Sequence, residues 1–138
     1  MSTVSRASLD TRKFLLALLV DLVDDKNYRK CFRAAHRELH RFFYDLTKDE
    51  ATRPFVDDLL FDTNGNYPWS DQIDELLQEF QLSGVLSRPN PTYRYNDIAI
   101  TTSAPANDFR NGLSDAQQRS YGRVLDAFKK ELGVPDTK

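Results

Sequence analysis

Apolar residues recur along this chain in four runs of helical period, separated by polar turns. From Phe14 to Val20 the chain is apolar on every side, which predicts the most enclosed helix of a small domain. Ser8 or Asp10 can cap it, and Asp21, Asp24 and Asp25 return it to solvent after about Val23. Next, Tyr28, Phe32, Ala35, Leu39, Phe42 and Leu46 alternate spacings of four and three, predicting a second helix from about Asn27 to Leu46. Ile73, Leu76, Leu77 and Phe80 mark a third, capped by Ser70, running to Leu82 and stopped at Gly84. Finally, Tyr121, Val124, Leu125, Phe128 and Leu132 share a face, with a capping box at Ser114 and Gln117 ahead of them and Gly133 and Pro135 behind.

Between the second and third helices, Pro54 limits helix propagation or opens a new turn, and the period of Phe55 to Phe61 fits a short helix or a strand. Asp62-Thr63-Asn64-Gly65-Asn66 is the strongest turn signal in the chain, and Pro68 keeps Tyr67 out of helix. Val85-Leu86 and Thr92 to Tyr95 bracket the tip Ser87-Arg88-Pro89-Asn90-Pro91 and predict an irregular hairpin. Ile98 to Thr101 adds an extended stretch, and Ser103 to Asn111 reads as a loop. The order helix, turn, helix, hairpin predicts a single mainly α domain over residues 1–138, with a minor β-hairpin and a winged-helix-like arrangement.

Composition fits that reading. A chain of 138 residues, 40% apolar with nine Phe and six Tyr, can bury a core without metal or disulfide help. Its one cysteine, Cys31, forms no internal bridge and reads as a half-buried thiol in a reducing compartment. The N-terminal residues lack the apolar core of a signal peptide, and the longest apolar run of seven residues is far short of a membrane span. A cytoplasmic protein with no membrane partner is the expectation.

Charge changes the picture more. The net charge of -2 hides two opposed regions. Pro54 to Leu86 holds seven carboxylates and no Lys or Arg, whereas Lys26, Arg29, Lys30, Arg33, Arg37 and Arg41 crowd the segment before it. On one helix, Arg29, Arg33, Arg37 and Arg41 would form an i,i+4 ladder beside the apolar face, partly offset by Glu38 and Asp45. Such a face can lie along phosphates or meet an acidic protein surface. The helix in the recognition position, Ser70 to Leu82, instead sets Asp71, Asp74, Glu75 and Glu79 outward, which opposes major-groove reading.

No catalytic, cofactor or metal motif stands out. His36 and His40 sit one turn apart, but His36-Arg37-Glu38-Leu39-His40 is not the zinc-protease pattern, and the neighbouring arginines oppose a cation. Cys31 lies on another side of the predicted helix from His36. The Asp62 turn lacks a calcium loop's closing carboxylate, having Ile73 there. Tyr67, Trp69, Tyr93 and Tyr95 can gather near the turn and the hairpin tip, either completing the core or forming a recognition rim.

The leading expectation is a non-catalytic regulatory or adaptor domain that binds another protein, or a second copy of itself. Its interaction surface draws on Arg29, Arg33, Arg37, Arg41, Trp69, Arg88 and Tyr93. The first alternative is DNA or RNA binding through the basic second helix. The second is a metal-dependent hydrolase built from distant carboxylates and histidines.

Overall fold

Phe14 is fully buried at the centre of the molecule, its ring stacked on Phe55 at 4.7 Å and 17° and set edge-on to Phe43 and Tyr121. The computed structural model describes residues 10–33, 36–87, 95–99 and 104–135. In chain order these form α1 (Thr11–Asp24), β1 (Tyr28–Arg33), α2 (His36–Leu46), a short 3-10 turn (Arg53–Phe55) and α3 (Asp71–Leu82). β2 (Tyr95–Asp97), α4 (Ala104–Asn111), α5 (Asp115–Leu132) and β3 (Gly133–Pro135) follow. The domain is mainly α. No helix among the described residues is long and apolar enough to cross a membrane.

α1 is the enclosed helix that its all-round apolar sequence requires. Phe14, Leu15, Ala17, Leu18, Leu19 and Leu22 are all buried against α4, α5 and β1. Asp10 caps it, accepting the backbone N–H of Arg12 at 2.9 Å and of Lys13 at 3.4 Å; Ser8 lies outside the described residues. α5 starts with the complete capping box, Gln117 N–H to Ser114 Oγ at 3.2 Å and Ser114 N–H to Gln117 Oε1 at 3.0 Å. Past α3, Gly84 takes φ +86° while its own N–H and that of Val85 reach back to the carbonyls of Gln81 and Phe80. This is a Schellman ending, and it turns the chain into the hairpin.

The expected second helix is divided. Residues 28–33 form β1, the middle strand of a three-stranded antiparallel sheet of order β2-β1-β3, and α2 begins only at His36. Phe32 faces Asn96 on one side and Gly133 on the other. A spacing of four satisfies a helix face and, as twice two, a strand face as well. Tyr28 and Phe32 therefore fit both, and strand pairing on two sides decides the outcome.

The hairpin is present in a shifted register. Leu86 bridges Ile98, Ser87 N–H donates to the Asp97 carbonyl at 3.0 Å, and Ala99 N–H to the Val85 carbonyl at 2.8 Å. The order α1, β1, α2, α3, hairpin is winged-helix-like, with β3 added on the far side of β1. Residues 88–94, including Arg88, Tyr93 and the proline-rich tip, lie outside the described residues.

Residues 104–111, expected as loop, instead form α4. Pro105 stands in the first turn, where its missing N–H costs no helical bond. Ala106 is buried, and Phe109 packs against Phe14, Phe55 and Tyr121. The undecided segment 55–61 is neither a regular helix nor a strand after the 3-10 turn. Its backbone is held by Gln72, which donates to the Asp58 carbonyl and accepts the N–H of Leu60, each at 2.6 Å.

Candidate functional site

The expected arginine ladder does not exist as one helix face. Arg29 and Arg33 stand on β1, Arg37 and Arg41 on α2. Arg29 is exposed. Arg33 is half-buried and donates to the Glu131 carbonyl at 3.4 Å, serving the electronegative end of α5. Arg37 and Arg41 remain exposed one turn apart on the outer side of α2, with Tyr44 a further turn on.

That side of α2 meets the segment 61–69. Asp62 and Trp69 exchange both backbone hydrogen bonds, at 2.7 and 2.9 Å, and so close residues 63–68 into a tight loop. Asn64 N–H donates to Asp62 Oδ1 at 2.8 Å, which makes the Asn-Gly signal an Asx turn and uses the carboxylate the calcium-loop comparison concerned. Closing the loop brings three aromatic rings toward α2. Arg37 lies over the Tyr67 ring at 5.8 Å, and Tyr67 sets its edge against Trp69 at 6.3 Å. Two turns further along, Tyr44 packs edge-on against Phe61 at 5.3 Å, and Lys48 sits 4.7 Å over Tyr44. Tyr44, Phe61, Tyr67 and Trp69 are half-exposed. The result is a strip of half-exposed aromatic rings studded with cations.

Trp69 anchors the strip to the core. Its indole stacks on the His40 ring at 4.1 Å and 9°, and its Nε1 donates to Asp71 Oδ1 at 2.7 Å. His40 is fully buried, and its Nδ1 accepts the backbone N–H of Ser70 at 3.0 Å. Ser70 occupies the cap position of α3 in extended conformation, but its buried hydroxyl makes no capping bond. The expected cap is therefore present in backbone only, held from outside by histidine.

His40 presents a ring face to tryptophan and its Nδ1 to a backbone amide. The side chain of His36 lies outside the described residues. No group of three or more His, Cys, Asp or Glu side chains among the described residues is placed to hold a metal. Cys31 faces Asp97 across the sheet, and burial, then that carboxylate, push its thiol pKa up, which disfavours the nucleophilic thiolate.

A groove of about 470 Å³ between α1 and α5 is bordered by polar groups that satisfy one another. Asp21 accepts from Arg110 and from the Tyr121 hydroxyl, the latter at 2.6 Å, while Lys129 pairs with Asp25 at 2.9 Å. Burial first, then the Asp21 charge, pushes the Tyr121 hydroxyl far up, so it stays protonated. Neither it nor Arg110 is an available acid or base.

The acidic face of α3 is where the sequence put it. Asp71 and Glu75 are exposed, Asp74 and Glu79 half-buried, and Glu79 pairs with Arg12 of α1 rather than with the basic side of α2. Of the expected interaction residues, the structure thus brings Arg37, Arg41 and Trp69 to one surface and leaves Arg29 and Arg33 on the sheet. Tyr44, Lys48 and Phe61 belong to the same surface and are not among the residues that the sequence singles out. The signal for Tyr44 was its place one turn beyond Arg41, whereas nothing local marked Phe61 as its neighbour. No protein family matches the chain, and neither a curated protein nor a solved structure matches it.

Proposed function

We propose that this is a non-catalytic regulatory or adaptor domain that binds a protein partner through the strip formed by α2 and residues 61–69. The observation that carries the reading is the alternation of aromatic rings and cations at half-exposure: Arg37 on Tyr67, Lys48 on Tyr44, with Trp69 packed against His40 beneath. Aromatic and arginine side chains concentrate binding energy at protein interfaces, and a ring already fixed by packing loses little freedom on binding. Arg37, Arg41 and Lys48 suit a partner segment that carries carboxylates around an apolar anchor. The acidic α3 stands in the position that a DNA-reading helix takes in this arrangement, and its charge works against phosphate.

A direct test measures fluorescence anisotropy with a pool of labelled acidic 15-residue peptides, each with a central Trp, Phe or Leu, and a duplex DNA for comparison. Peptide binding is expected, weakened about 30-fold by Arg37→Glu, the equivalent of a hot-spot loss of about 2 kcal/mol. Arg29→Glu is expected to change it by less than about 2-fold, a rim-scale electrostatic effect. Salt-sensitive DNA binding in place of peptide binding, or equal loss in the two variants, contradicts the reading.

A further inference from the structure

We propose that His40 is a proton-operated latch on this surface: as a neutral ring it holds Trp69 and the start of α3 in place, and protonation releases them. The latch controls the strip described above, and only its consequence for binding rests on that reading.

The His40 Nδ1 accepts the Ser70 N–H at 3.0 Å, so this nitrogen carries no hydrogen and the ring is neutral with its proton on Nε2. Protonation places a hydrogen on Nδ1, facing the Ser70 N–H. Two donors then oppose each other and the bond is lost. The site has no slack to absorb this, because His40 is 0% and Ser70 1% exposed. Ser70 also has no hydroxyl cap to fall back on in this arrangement, so the entry to α3 depends on the histidine contact.

Charged groups around the ring come from three elements. Arg37 and Arg41 on α2 oppose an imidazolium, and Glu38 on the same helix favours it. Asp62, paired through its backbone with Trp69, and Asp71 and Asp74 at the start of α3 also favour it. The indole face also attracts a cation. These attractions keep a charged ring near Trp69, yet none restores the acceptor that Ser70 loses. The sign follows: the latch is closed where the imidazole is neutral and opens as pH falls and the ring takes up a proton.

Trp69 is the single tryptophan of the chain, so its emission reports the latch without labelling. In the full chain at pH 7.5, nitrogen-15 NMR of the imidazole rings is expected to show His40 protonated on Nε2 and bare on Nδ1. From pH 8 to 5, Trp69 emission is expected to follow a one-proton transition while far-ultraviolet circular dichroism stays constant. His40→Gln should abolish that transition and His36→Gln preserve it. A His40 hydrogen on Nδ1 at pH 7.5, a flat emission profile, persistence of the transition in His40→Gln, or loss of helix at the same midpoint each overturns the latch. Should His40→Gln fail to fold, the NMR and emission of the unaltered chain decide the matter alone. No partner takes part in these measurements, so a failed latch leaves the peptide experiment at pH 7.5 to stand or fall separately.

Discussion

Gly133 shows how a residue can be legible for the wrong reason. Its place after an apolar helical run marks it as a helix stop, and α5 does end there. Its backbone, at φ −72° and ψ 153°, needs no glycine. The constraint is space: a Cβ at this position meets the Lys129 carbonyl oxygen at 2.5 Å and the Tyr28 ring at 2.8 Å. Tyr28 comes from a strand over 100 residues away, which no local pattern discloses. Gly133→Ala is therefore expected to cost about 1–3 kcal/mol, as overpacking does, read as a lower urea midpoint at unchanged slope. An unchanged midpoint contradicts the packing of β3 on Tyr28. By contrast, Gly84 and the Ser114–Gln117 box were readable in full, because their partners lie within a few residues.

At the scale of elements, legibility follows how many independent signals each one carries. α1, α3 and α5 combine a long apolar period with end signals, and each appears within a few residues of its expected limits. β1 was hidden by the four-residue spacing that suits both periods, and α4 by having only Ala106 and Phe109 to show before Leu113. Elements also meet through charges that sequence does not pair. Asp25, at the C-terminal cap of α1, pairs with Lys129 in the last turn of α5. The Lys129 hydrogen bond, then the Asn27 N–H, holds the Asp25 carboxyl below its usual 3.8. A lowered carboxyl pKa stabilises the fold above the unfolded value, and that contribution fades as pH falls below about 4. Asp25→Asn is accordingly expected to lower the urea midpoint more at pH 7 than at pH 3, where the carboxylate begins to take up its proton. An equal deficit at both pH values contradicts the linkage.

For the molecule as a whole, the opposed charges of the chain survive folding but change their meaning. The basic residues do not make one stripe: β1 takes Arg29 and Arg33, α2 takes Arg37 and Arg41, and the acidic α3 keeps its carboxylates on the surface. What the segment 61–69 adds is a set of rings between the charges, and this juxtaposition was only half visible beforehand. Tyr67 and Trp69 announced themselves by composition, while Tyr44 and Phe61 needed the Asp62–Trp69 closure to meet. The strip is thus a product of tertiary pairing rather than of a linear motif.

The measurement that bears most directly on the strip is chemical-shift mapping of the nitrogen-15-labelled chain during titration with the acidic, tryptophan-centred peptide. The account predicts that saturable shifts gather at Arg37, Arg41, Tyr44, Lys48, Phe61, Tyr67 and Trp69 and spare β1 and the outer face of α3. Shifts centred on β1 or on Asp74 and Glu75, or no shifts at peptide concentrations approaching a millimolar, would contradict it.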